Sequence, residues 1–147
     1  MFRRILVPTD FSVCAAEAWD MAKRLSAAAG GELIVCYVLP DKARFAPDPF
    51  AEDRAVNVLA WARSRLDDLV REARASGLEA RAAVRTGVPY REIVALALDE
   101  RADLIVIGSH GRGGLNRMLL GSVADRVIRL APCAVLAVHP PGKVTAA

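Results

Sequence analysis

Apolar residues in this chain come as short unbroken runs alternating with longer stretches spaced at three and four. Arg4 to Pro8 (RILVP) is a run stopped by proline and reads as a first strand. Thr9, Asp10 and Ser12 follow it, residue types that turn a chain and cap a helix. Ala15, Ala18, Trp19, Ala22, Leu25 and Ala29 then recur at helical steps until Gly30-Gly31. Glu32 to Leu39 (ELIVCYVL) is apolar on both faces, as in a strand with helices on either side. Three prolines between Pro40 and Pro49 predict a loop, the most mobile stretch of the chain, about residues 40–52. A long helix is expected from about Phe50 to Ser76, with one stripe of Ala55, Val58, Leu59, Ala62, Leu66, Leu69, Val70 and Ala73.

Leu78 to Arg85 alternates, which predicts a half-exposed strand at an edge of the sheet. Thr86 to Pro89 turns the chain into a third helix carrying Ile93, Leu96 and Ala97. Leu104 to Gly108 is the fourth strand. A glycine-rich loop follows, and a fourth helix begins at Ser122, with Ser122 and Asp125 in a capping pattern and Ala124, Val127, Ile128 and Ala131 as its apolar face. Pro132 stops it, Ala134 to His139 is the fifth strand, and residues 140–147 are a frayed tail. Regular alternation of strand and helix implies an α/β sandwich with a parallel sheet. No repeat or linker divides residues 1–147, so one domain is expected.

Composition narrows this picture only slightly. Hydrophobic residues make up 54% and charged residues 25%, which excludes a disordered chain. No apolar run reaches the ~18 residues of a membrane span, and the start is too short in apolar residues for a signal peptide. These features predict a cytoplasmic protein without a membrane partner. A net charge of +3 comes from interspersed charges, not a basic block, so no nucleic-acid partner is expected. Cys14, Cys36 and Cys133 form no C-x-x-C pair and read as buried thiols.

Candidate chemistry concentrates in Asp103 to Ser122 (DLIVIGSHGRGGLNRMLLGS), where Gly108, Gly111, Gly113, Gly114 and Gly121 account for five of the ten glycines. A strand, glycines and a helix N-terminus let backbone amides approach an anion. Ligands of open parallel sheets sit beyond the strands' carboxyl ends. If the first and fourth strands are neighbours, Asp10 faces the glycine amides across one crevice, placed to accept from ribose hydroxyls or an amine. In the plainer alternative, Asp10 caps the first helix and the glycines only turn the chain. The P-loop lysine is missing, the dinucleotide fingerprint fails at Asn116, and no G-x-S-x-G elbow occurs. Without a catalytic lysine, binding is expected rather than fast phosphoryl transfer.

Gly108-x-x-Gly111, nine residues, then Gly121-Ser122 has the G-x2-G-x9-G-[ST] spacing. With ILVPTDFS (Ile5 to Ser12), ADLIVIGSHGRGG (Ala102 to Gly114) and LLGSVADRVIRLAPCAVLAV (Leu119 to Val138), the chain resembles the ATP-binding branch of the universal stress protein family over nearly its whole length. The resemblance implies a five-stranded parallel sheet of order 3-2-1-4-5 with helices on both faces. It also implies roles. Pro8, Thr9 and Asp10 would flank adenine and ribose, and Val38 would close the adenine pocket. Gly108, Ser109 and Gly111 would meet ribose and the first phosphates, and Gly121, Ser122 and Val123 the outer ones. Phe11 stands where many members have glycine. Arg112 and Arg117, inside the nine-residue spacing, read either as charge-assisted donors to phosphates or as solvated surface arginines. His110 is a turn residue in reach of phosphate or metal, and His139 is given no chemistry.

The expected ligand is ATP, with ADP or AMP open, accompanied by Mg²⁺. Family members commonly pair through the fifth strand, so the resemblance implies a homodimer through Ala134 to His139. The function it implies is a nucleotide-regulated stress or partner-binding protein. Two alternatives stay open: a slow ATPase or self-phosphorylating protein acting through Ser122 or Thr9, and an interaction module or chaperone that ignores the pocket.

Overall fold

The structure is a computed structural model describing residues 2–41, 49–110 and 119–140. Strands and helices alternate through them as β1 (Arg4–Pro8), α1 (Val13–Ala29), β2 (Glu32–Pro40), α2 (Ala51–Ala75), β3 (Ala80–Gly87), α3 (Pro89–Asp99), β4 (Leu104–Gly108), α4 (Ser122–Leu130) and β5 (Ala134–Val138). The strands form one parallel sheet in the order β3-β2-β1-β4-β5. Ile5 aligns with Leu33 on one side and Leu104 on the other. Leu104 to Gly108 run beside Ala134 to Val138 residue for residue.

Successive residues of the central strands enter opposite layers, because side chains alternate along a strand. Ile5, Val7, Leu33, Val35, Leu104 and Val106 pack on Ala18, Trp19 and Ala22 of α1 and Leu66, Val70 and Ala73 of α2. Leu6, Ile34, Cys36, Ile105 and Ile107 face the other way, onto Ile93, Leu96 and Ala97 of α3 and Ala124 and Val127 of α4. Each fully buried Val, Leu or Ile contributes roughly 1.5–3 kcal/mol. Because these residues concentrate in β1, β2 and β4, the middle of the sheet anchors both layers. The alternating β3 lies at an edge, as its pattern predicted.

Several boundaries differ from the sequence reading for physical reasons. β3 starts at Ala80 instead of Leu78, because the Leu78 N–H donates to the Ala73 carbonyl (3.1 Å) and closes the end of α2. The apolar stripe of α2 is buried only from Ala62 onward. A 25-residue helix is about 37 Å long, whereas an eight-residue strand such as β3 spans about 26 Å. The early turns of α2 therefore overshoot the carboxyl ends of the strands. Ile128, assigned to the apolar face of α4, is exposed, and Cys133 is half-buried, whereas Cys14 and Cys36 are buried. The expected mobile loop falls mostly on residues 42–48 and the tail on 141–147, both outside the described residues. No helix among the described residues is long and apolar enough to cross a membrane.

Candidate functional site

The winding of the sheet reverses at β1, which sends the chain to β2 on one side and has β4 on the other. Beyond the carboxyl ends of these strands lies a cleft of about 640 Å³. Every expected contact residue within the described chain lines it: Pro8, Thr9 and Asp10 at the end of β1, Val38 of β2, Gly108 and Ser109 at the end of β4, and Gly121, Ser122 and Val123 at the start of α4. Gly111, Arg112 and Arg117 lie outside the described residues.

The β1–α1 turn is built from side-chain-to-backbone bonds. Thr9 is tied to β2 by its N–H, which donates to the Cys36 carbonyl (2.8 Å). Thr9 Oγ1 accepts from the Phe11 N–H (3.0 Å), and Asp10 Oδ1 accepts from the Ser12 N–H (2.9 Å). Ser12, not Asp10, caps α1 through its side chain. Asp10 thus has its position set by the turn while lining the cleft. Phe11 holds a left-handed backbone, φ 64°, where glycine would be unstrained. Its ring is retained by packing: stacked on Tyr37 at 5.5 Å, edge to Trp61 at 4.9 Å, and under the Arg65 guanidinium.

On the opposite wall, two glycines are required by close approach. A Cβ on Gly108 would stand 3.0 Å from the Cys14 main chain, so this residue lets β4 end against the first turn of α1. A Cβ on Gly121 would stand 2.9 Å from the Ser109 carbonyl oxygen. The Gly121 N–H donates to that same oxygen at 2.6 Å, which fixes where α4 begins. Gly121 is the N-cap of α4, and no side chain among the described residues caps the helix. The expected Ser122–Asp125 capping pattern does not form: Ser122 is the first helical residue, and Asp125 accepts from Arg129 (3.2 Å). The first-turn N–H groups of Ser122, Val123 and Ala124 have no acceptor within the helix, and all three residues line the cleft.

Beside them lies a polar cluster that the sequence did not announce. Ser109 is fully buried, and its Oγ contacts His110 Nδ1 at 2.8 Å and His139 Nδ1 at 3.1 Å. His139, which was given no chemistry, therefore braces the site from the end of β5. The β4–β5 register carries the signal for this contact, since pairing Gly108 with Val138 makes Ser109 and His139 neighbours. His110 is 8% exposed, and its Nε2 is buried without a hydrogen-bond partner among the described residues. Sequence reasoning also missed Tyr37, Trp61, Pro89 and Ile93, which form the apolar part of the cleft from elements far apart in the chain. Burial pushes the Cys36 thiol, also on the cleft wall, up to about 12, so it stays protonated near neutral pH.

The cleft pairs an apolar end with a carboxylate on one wall and open amides on the other, a shape suited to a small ligand with an apolar body and an anionic tail. The model of the universal stress protein family matches residues 1–139. The universal stress protein MJ0577 of Methanocaldococcus jannaschii is 30% identical, over 94% of this chain and 95% of its own. The solved MJ0577 structure superposes with a TM-score of 0.87, covering 97% and 99% of the two chains. A universal stress protein in complex with cAMP superposes at 0.73 (26% identical, 95% and 99% covered). One from Archaeoglobus fulgidus in complex with dAMP does so at 0.66 (26% identical, 92% and 97% covered). Sequence, sheet order and solved relatives agree: this chain belongs to the universal stress protein family.

Proposed function

We propose that this chain binds an adenine nucleotide, ATP foremost, across the ends of β1 and β4, and that occupancy of the cleft governs its association with partners. The observation that carries this reading is the pairing, in one cleft, of Asp10 with the uncapped start of α4 on the facing wall. A helix N-terminus with free N–H groups favours phosphate through both hydrogen bonding and its dipole. Asp10 Oδ1 accepts the Ser12 N–H, which holds at the cleft wall a carboxylate of the kind that accepts from ribose hydroxyls. Val38, Tyr37 and Ile93 supply an apolar seat for the base. The cAMP and dAMP complexes of relatives lend support, since both ligands are adenine nucleotides.

The site residues suit a nucleotide better than a tightly held metal. Among the described residues, no cluster of three or more His, Cys, Asp or Glu side chains is placed to hold an ion. Mg²⁺ bound with ATP would rest on phosphate oxygens and water, as it does in many nucleotide sites. Isothermal titration with ATP tests the reading. Saturable heat with a Kd below about 1 mM, roughly −4 kcal/mol, is the expected result, and its absence overturns the proposal.

The edge position of β5 and the exposure of Leu136 on it support a homodimer through this strand. Leu136→Lys is expected to convert a dimer into a monomer in analytical ultracentrifugation. A wild-type protein that sediments as a monomer removes this part of the proposal.

A further inference from the structure

We infer that His110 is a ligand-sensing residue and that Ser109 relays its state to His139 at the end of β5, a step that rests on the cleft taking an anionic ligand. The starting point is a proton count. Ser109 Oγ has one hydrogen and meets two imidazole Nδ1 atoms, at 2.8 Å and 3.1 Å. If both Nδ1 atoms were bare, one contact would set lone pair against lone pair. If both carried hydrogen, the Ser109 proton would be left with Cys14 Sγ at 3.8 Å, a weak acceptor whose thiol already donates to the Val138 carbonyl at 3.1 Å. One imidazole must therefore donate to Ser109 and the other accept from it. The chain of bonds has a direction.

Burial selects that direction. With His110 donating from Nδ1, its Nε2 is a bare lone pair, and the Ser109 hydroxyl donates to His139. In the reverse arrangement His110 carries hydrogen on Nε2, an atom buried without an acceptor among the described residues. A buried N–H without an acceptor costs more than an idle lone pair, so the ligand-free protein holds the first arrangement. His110 lines the same cleft as the start of α4. A negative charge seated there repels the lone pair at Nε2 and favours a hydrogen instead, which reverses the chain.

The reversal conserves protons. His110 Nε2, buried in the ligand-free protein, is opened to water as the ligand enters and takes one proton from it. The Nδ1 proton of His110 passes to Ser109 Oγ, and the hydroxyl proton passes to His139 Nδ1. One proton leaves His139 Nε2 for water, and neither imidazole changes its net charge. Occupancy of the cleft is thereby recorded as the tautomer of an exposed histidine just after β5.

The sequence has only two histidines, so imidazole ¹⁵N correlation spectra assign both directly. Spectra are recorded at about pH 8, where ordinary imidazoles are neutral, with and without ATP at a concentration that calorimetry on the same sample shows to be saturating. Expected without ATP is hydrogen on Nδ1 of His110 and on Nε2 of His139, and with ATP the opposite assignment for both. In Ser109→Ala, His139 should no longer respond to ATP. Hydrogen on Nε2 of His110 in the ligand-free protein overturns the relay, and so do tautomers that stay fixed while calorimetry registers binding. Absence of any ATP heat ends the nucleotide reading and the reversal together, which separates that failure from failure of the relay alone.

Discussion

The two ends of the sheet handle their polar groups in opposite ways. At the amino end, charges satisfy one another. Asp103 accepts from the Arg3 and Arg4 N–H groups (2.8 and 3.2 Å), and Arg81 bridges Glu32 (2.7 Å) and Glu100. Arg4 reaches the Glu100 carbonyl at 2.7 Å. At the carboxyl end, helix α4 starts without a cap and His110 Nε2 stays unpartnered among the described residues. Among the described residues, paired charges close one end of the α/β sandwich, whereas the other end keeps polar groups without partners. The difference lies in side-chain partners rather than in the strands, which run through both ends unbroken.

The sharpest way to break this contrast is at Gly121. Gly121→Val drives a side chain into the Ser109 carbonyl. It should abolish saturable ATP binding in calorimetry and cost ~1–3 kcal/mol of stability in urea unfolding, as overpacking does. The sequence alone suggests that such a side chain would fill the phosphate space. The structure gives a different reason: it would push α4 away from β4. A circular-dichroism melt unchanged from wild type would contradict this account. Next in size is Asp10→Asn. The amide oxygen still accepts from the Ser12 N–H, so the turn survives, but the charge is lost. ATP affinity should fall about tenfold, near 1.4 kcal/mol, just under the range of about 1.5–3 kcal/mol for a hydrogen bond to a charged group, with little change in melting temperature.

Phe11 sharpens the comparison by asking what the open end spends on shape. Its φ of 64° carries a backbone penalty of roughly 1 kcal/mol for a residue with a Cβ. Phe11→Gly should therefore unfold at higher urea than Phe11→Ala, by about that amount, because both lose the ring and only one keeps the strain. Equal midpoints would mean the turn relaxes. The smallest effect belongs to the closed end. Arg81→Leu should cost at most about 1 kcal/mol at pH 7, since partly exposed ion pairs are screened. The hydrogen bond from Arg81 holds the Glu100 carboxyl below the usual glutamate range. That contribution is complete above about pH 4.3 and is lost as pH falls further, through the depressed folded value. The gap between variant and wild type in urea midpoint should accordingly narrow below pH 4.

Much of the fold could be read directly from the chain. Apolar runs such as ELIVCYVL have a single outcome, and the alternation in β3 placed it at an edge. Ser122 misled because cap propensity is local, whereas the start of α4 is fixed by a main-chain bond from Gly121 to Ser109, twelve residues back. The cleft's floor was legible at Pro8, Asp10 and Gly108, since these lie at or just beyond the ends of their strands. Its apolar wall was not. Trp61 reaches it because α2 overshoots the sheet, a matter of relative lengths that no motif encodes. The Ser109–His139 contact lay between these cases, recoverable only by counting two parallel strands forward in register.

The flanks of the sheet are chemically unequal. β3 runs along its outer side with Arg81 and Arg85, both engaged with carboxylates, whereas β5 reads AVLAV without a charge. Charged flanks resist accretion of further chains. By charge, backbone pairing that extends the sheet is therefore favoured on the β5 flank over the β3 flank. Two copies joined there by a twofold axis use up the sticky surface, so any assembly of this kind is self-limiting and cannot propagate into a ribbon.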